Sequence, residues 1–457
     1  MSIQKLSSTA VIAATLSLLS ATACDIDVSD LNNPGLDELE QNPTRVTVTS
    51  ACTGMLIGNR RNRAQANGYI AQLGILGREA YSFDPADPRF INELLKGKLA
   101  QGSPFGGNFW ALPYANIRLA NIVERVVSRV PDFSAEEVSG ILGYSKTIEA
   151  TDLLEVVSTH DTNGGVTDTD HDVGDALGAI VGRDAMLAEI ARLLDEGEQD
   201  FAKGGKAFPF SLSTGFQGFS APASFTKYNR AMRARVAVYQ KDYDAALTAL
   251  GKSFLNAGAP TLTLSDLAAG VYHAYSTRSG DTVNNLRNPN LYTHPSFATD
   301  SQPNDQRVAR KTTVVNPPGS LQGLSSDRKY TLYTSPGSPL PLIRNEELLL
   351  LRAEARWFAE SADKVGALAD LNLVRQVSGG LAAVAPVSDA EFITALLYER
   401  RYSLAFEGHR LIDLRRFDRT MDLPLDKTDH VRNIRYPIPQ AECDARPGEP
   451  ACALSSQ

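Results

Sequence analysis

The sequence predicts an all-α dominated fold: an array of helix pairs in one large domain, with a long irregular insert and few short strands. Three observations lead to this. Apolar residues recur at three- and four-residue steps along most of the chain. Alanines concentrate where paired helices would cross. From about 257 to 342 that periodicity fades, and Gly, Pro, Ser, Thr and Asn take over.

The N-terminus reads as a targeting segment. Lys5 gives a positive start, Val11 to Leu19 is an apolar run too short to span a bilayer, and Ala21-Thr22-Ala23 precedes Cys24. This is the layout of a lipoprotein signal over 1–23, with Cys24 as the lipidated first residue of the exported chain. Residues 25–43 carry acidic side chains but no Lys or Arg, and add Asn33-Pro34-Gly35. Such a stretch repels itself and buries little, so 24–43 is expected to be an extended acidic tether. The folded domain then covers 44–457, held at the lipid bilayer by its acyl anchor. The net charge of -8 and the lack of a basic cluster argue against a nucleic-acid partner.

An exported chain meets an oxidising compartment. Cys443 and Cys452, with Pro447, Gly448 and Pro450 between them, are expected to close a terminal disulfide loop. Cys52 is left over as a small buried hydrophobe. No two cysteines have zinc-like spacing, and no metal site is expected.

The helices have start signals. Ser134-Ala135-Glu136-Glu137 and Ser388-Asp389-Ala390-Glu391 are capping boxes, in which the serine caps the helix and the glutamate reaches back. The first opens a helix toward Val157; the second opens one running to about Phe406, with Gly408 past its end. Residues 224–240 pair with 243–254, with Ala231, Ala234, Ala237, Ala245, Ala246 and Ala249 as close-packing positions. Residues 345–358 pair with 364–376, and 107–130 with 134–157, while a fourth pair fits between Thr44 and Leu76. Alanine-rich pairs with Tyr239 near the end of a first helix look like degenerate tetratricopeptide repeats.

The most specific signal lies between Arg344 and Arg416. It holds Glu346-Glu347-Leu348-Leu349-Leu350-Leu351-Arg352-Ala353-Glu354-Ala355, then Leu371-Asn372-Leu373-Val374-Arg375. It closes with Tyr398-Glu399-Arg400-Arg401-Tyr402 and Phe406-Glu407-Gly408-His409-Arg410-Leu411-Ile412-Asp413-Leu414-Arg415-Arg416. This order resembles the C-terminal hallmark of the SusD/RagB family. Asn108-Phe109-Trp110 with Tyr114-Ala115-Asn116-Ile117, and Tyr436-Pro437-Ile438-Pro439, resemble further pieces of the family pattern. The resemblance implies a SusD-like fold and a lipid-anchored outer-membrane protein at the cell surface. Such a protein captures an oligomeric nutrient and passes it to a SusC-like TonB-dependent β-barrel transporter. It implies no enzyme activity and no cofactor.

Physically, Phe392, Ala395, Leu396, Glu399, Tyr402, Ser403 and Phe406 trace one helix face. A carboxylate on an apolar stripe must be paired. Arg352, Glu354, Arg375, Glu399, Arg400, Glu407, Arg410 and Asp413 are therefore read as a structural ion network rather than as catalytic groups. Glu399 and Glu407 would lie about 12 Å apart along a continuous helix. A glycosidase pair needs about 5–9.5 Å, so the two fail as catalysts unless the helix breaks between them. No HExxH, Walker A loop or GxSxG elbow is present. Asp168-Thr169-Asp170-His171-Asp172 resembles a calcium-loop fragment, but Val173 and Ala179 occupy the places that need Gly and a bidentate Glu.

Sugar rings stack CH faces on aromatic side chains and need amide or carboxylate partners for their hydroxyls. In the family such contacts come from loops after the first helices and from the irregular central region. Here Tyr81, Phe83, Phe90 and Phe105 are candidates in the first, and Tyr272, Tyr275, Asn290 and Tyr292 in the second. Trp110 is read as helix core. An oligosaccharide is the expected ligand, with a peptide as the alternative. A tetratricopeptide-like scaffold lipoprotein that binds only proteins, and a surface hydrolase, are the competing readings.

Overall fold

The computed structural model describes residues 35–171, 174–258 and 262–455. Cys24, its signal and most of the tether lie outside the described residues. The last part of that tether is not extended: Leu36–Gln41 forms a short helix, α1. Leu39 is buried, and Arg125 holds the Glu40 carboxylate while Arg129 donates to the Glu40 carbonyl. One apolar side chain and two arginines suffice to dock a segment whose composition reads as solvated.

Helices α2 (Arg45–Arg60), α4 (Pro104–Val126), α5 (Ala135–His160), α6 (Arg183–Lys203), α7 (Pro222–Gln240) and α8 (Tyr243–Gly251) follow, with α3 (Tyr69–Leu76) between the first two. The later helices include α9 (Gln306–Lys311), α10 (Asn345–Phe358), α11 (Lys364–Gly379), α12 (Asp389–Ser403) and α13 (Arg410–Arg416). Nearest-neighbour packing runs α2–α4–α5–α6–α7–α8–α10–α11–α12, a quasi-linear array in which each helix covers the apolar stripe of the one before. Helix α6 has no counterpart in the sequence reading, although Met186, Leu187, Ile190, Leu193, Leu194 and Phe201 form its buried face. The expected fourth pair takes another form, since α2 packs on α4 and α5 while α3 packs on α13.

Caps set the helix boundaries. Ser134 and Glu137 make the reciprocal capping box at α5. At α12 Ser388 caps Glu391, but the Glu391 carboxylate accepts from the Val387 N–H, one residue before the expected donor. Helix α12 stops at Ser403, short of the expected Phe406, and the chain turns through Phe406, whose φ is 57°.

The insert is more ordered than its composition indicates. It holds β4 (Gly270–His273), β5 (Leu291–Thr293), β6 (Thr312–Leu321), β7 (Leu324–Tyr330) and β8 (Leu340–Arg344), besides α9. With β1 (Ala80–Ser82), β2 (Gly165–Val166) and β3 (Ile180–Val181) these form four two-stranded antiparallel ladders, β1–β5, β2–β3, β4–β8 and β6–β7. The first pairs Tyr81 with Tyr292, tying the insert to the start of the domain. Cys443 and Cys452 are joined by a disulfide with Cα atoms 5.6 Å apart, and Cys52 is free and buried. No helix among the described residues is long and apolar enough to cross a membrane.

Candidate functional site

Strand β4 alternates: Val271 and His273 point into the core, while Gly270 and Tyr272 face outward. A register irregularity between Val271 and Tyr272 sets Tyr272 opposite Pro341 on β8. The exposed side of β4 floors an open groove of about 690 Å³. Phe219 and Phe254 form one wall, edge to face with ring centroids 5.0 Å apart. Thr214, Gln217, Gly337 and Pro339 complete the rim. The Tyr272 hydroxyl donates to the Ala268 carbonyl, which fixes the ring in place.

The turn at Thr214–Phe216 lies directly on β4. A Cβ on Gly215 would sit 1.9 Å from the Tyr272 carbonyl oxygen, so only glycine permits this approach. Phe216 beneath the turn is buried and stacks on Phe225 of α7 with centroids 5.6 Å apart. Tyr275 closes the inner end of the groove; it is 5 % exposed, and its hydroxyl donates to the Arg60 carbonyl at 3.4 Å. A buried, neutral base lies behind the floor: burial, aided by Arg63 and Arg60, holds His273 well below the usual histidine range.

The groove thus gathers Tyr272 and Tyr275 of the eight aromatic and amide candidates. The others lie elsewhere. Tyr81, Phe83, Phe90 and Phe105 are all buried, which corrects the expectation of surface contacts for these four. Tyr81 stacks on Phe83 at 5.3 Å, Phe83 meets Tyr292 at 5.1 Å, and Phe90 packs on Phe105 at 5.0 Å. Asn290 accepts the Phe83 N–H through its own carbonyl at 2.8 Å, extending the β1–β5 ladder. Tyr292 keeps partial exposure, with Lys329 Nζ 4.4 Å from its ring centre. Trp110 is 3 % exposed in the helix core. Phe219, Phe254 and Gln217 were missed by the sequence reading. The available signal was Thr214-Gly215-Phe216-Gln217-Gly218-Phe219, a Gly–aromatic loop between two helices.

The charged signature residues pair across helices. Glu399 receives Arg375 at 2.7 Å and Arg307 at 2.5 Å, and Arg307 also holds Asp305 at 2.8 Å. Glu354 receives Arg416 at 2.7 Å, and Arg416 and Arg400 share Asp413 at 3.0 and 2.7 Å. Arg352 binds Asp370 at 2.6 Å, and Arg344 joins Glu407 at 2.8 Å and also Glu346. Arg410 is placed differently, donating to the Gly77 carbonyl at 2.8 Å. The helix does break between Glu399 and Glu407. Each carboxylate is nevertheless taken up by a different arginine, which leaves no free acid–base pair there. Arg307 was not anticipated; it is fully buried and comes from the insert.

Residues 272–433 match the model of the SusD family, a span that begins at Tyr272 and includes the whole paired-charge region. That span of the chain is similar to the SusD family. Solved SusD-type structures share the fold over nearly their full length. A SusD superfamily protein from Bacteroides vulgatus superposes with a TM-score of 0.66 at 16% identity, covering 89% of this chain and 99% of that one. One from Parabacteroides distasonis gives 0.65 at 15%, covering 89% and 97%. A laminarin-binding SusD-like protein gives 0.64 at 16%, covering 88% and 97%. No curated protein matches this chain. At such identities a SusD scaffold is retained while its surface side chains are free to differ, so the groove has to be read from this chain's own residues.

Proposed function

We propose that this protein is a lipid-anchored surface binding protein that captures an oligosaccharide in the groove over β4. It delivers that ligand to a TonB-dependent outer-membrane transporter and does no chemistry on it. One observation carries the reading: Tyr272, locked through its hydroxyl, sits in an open groove of about 690 Å³ beside the Phe219–Phe254 pair. Fixed aromatic surface at an open cleft suits the CH face of a sugar, and Gln217 and Thr214 on the rim suit its hydroxyls. The laminarin-binding neighbour supports the ligand class. The signal layout before Cys24 and the likeness of residues 272–433 to the SusD family support anchoring and outer-membrane placement.

Two experiments test this. Calorimetric titration of the purified protein with an oligosaccharide panel should give binding that Tyr272→Ala weakens about tenfold or more; binding indifferent to Tyr272 and Phe219 would move the site elsewhere. Purification from native membranes in mild detergent should bring down a stoichiometric large β-barrel. Recovery of soluble proteins alone would favour the scaffold reading.

A further inference from the structure

Resting on the reading of the β4 groove as the ligand site, we infer that its ligand is an uncharged oligosaccharide and that acidic ones are rejected. The groove differs from three other cavities of the fold. A pocket of about 250 Å³ between the ends of α5, α7 and α13 is lined by Asp161, Arg183, Lys241 and Arg415. Another, of about 270 Å³ beside α12 and α13, is lined by Asp300, Arg401, Arg410 and Arg419. A small cleft adjoining the first holds Arg63, Glu155, Arg235 and Glu407. The β4 groove is the largest of the four, and no Lys, Arg, Asp or Glu lines it.

Two arginines next to the lining residues are paired with carboxylates. Arg60 reaches the groove wall only to donate to the Ala274 carbonyl at 2.5 Å, and its other arm holds Asp281. Arg344, at the end of β8, is shared between Glu346 and Glu407. The Tyr272 proton is used on Ala268, so the phenol oxygen offers a ligand only lone pairs. The groove therefore has nothing to neutralise a carboxylate. An acidic sugar would have to desolvate its charge against aromatic rings with no counter-ion, under a chain whose net charge is -8. A neutral sugar loses only hydroxyl hydration, which Gln217 and Thr214 replace.

The test uses matched oligosaccharides that differ only in whether their sugars are neutral or oxidised to uronates, titrated into the wild type, Tyr272→Ala and Phe219→Ala at low and high salt. We expect the neutral member to bind at least about tenfold tighter, with less than about a twofold change across the salt range. Both variants should weaken that binding about tenfold or more. Uronate binding equal to or tighter than neutral binding, and lost in Tyr272→Ala, would overturn the inference and leave the groove as the site. Binding that neither variant touches, or no binding by either member, would overturn the site reading and the inference with it.

Discussion

The Phe406 backbone N–H donates to Glu79 Oε1 at 3.0 Å, joining the C-terminal charged signature to the first helices of the domain across 327 residues of sequence. Phe406 has φ of 57°, its ring stacks on Tyr330 at 4.6 Å, and its carbonyl accepts from the Tyr333 hydroxyl at 3.1 Å. A Cβ on Gly74 would come within 2.7 Å of that ring. Four residues from two separate stretches, 74–79 and 330–333, thus hold one non-glycine residue in the left-handed region, where it follows α12 and redirects the chain into α13.

Glu79 gives this joint a pH dependence. Burial pushes its carboxyl up to about 7, with the Phe406 N–H and Arg410 pulling the other way, from an ordinary value of 4.5. A folded-state value above the unfolded one means that folding takes up a proton. The stabilisation is complete below the unfolded value and is lost as pH rises through about 7. The full effect is of order 3 kcal/mol. Melting temperature measured against pH should fall more steeply for the wild type than for Glu79→Gln through this window. Parallel curves would show that Glu79 does not carry the dependence.

Glu399 is the centre of the buried charge cluster, held by Arg307 from the insert and Arg375 from α11. Glu399→Gln should leave Arg307 under-compensated and cost about 3–5 kcal/mol, as should Arg307→Met for the converse reason. In a double-mutant cycle by chemical denaturation, the paired change should cost much less than the sum. Simple additivity would mean that the two side chains act independently.

Truncation in the groove should separate binding from folding. Tyr272 and Phe219 are half-buried, and Tyr272→Ala or Phe219→Ala should weaken ligand binding about tenfold or more. Each should cost only about 1 kcal/mol in denaturant unfolding. Tyr81→Ala removes an aromatic from the core and should show the reverse: a loss of about 3–5 kcal/mol, and unchanged affinity in the molecules that remain folded.

Gly215→Ala tests how the groove floor is built. The added methyl meets the Tyr272 carbonyl at 1.9 Å and must push the 214–216 turn off β4. A destabilisation of about 1–3 kcal/mol together with weakened binding is expected, although Gly215 has no side chain to touch a ligand. Wild-type stability and affinity in this variant would rule out the close approach.

Much of the scaffold is legible in the sequence because its determinants are local. Ser134 and Glu137 cap α5 from within one turn, and Asn345–Phe358 shows its apolar stripe to any reader of periodicity. The need to pair Glu399 also follows from its place on an apolar face. Its partner does not: Arg307 lies 92 residues away in a segment whose composition reads as irregular, and only the folded chain brings it there. The same limit applies to the ligand candidates. Tyr81 and Tyr272 are alike by residue type and region. Tyr81 is buried because β1 pairs with β5 from the insert and Phe83 and His294 pack against its ring. Tyr272 stays open because β4 turns its outer face toward a loop that stops at Gly215. Local pattern fixes which residues form helices and which charges must find partners. Exposure of an aromatic in a loop is decided by long-range pairing, a property of the packed molecule that no local window contains.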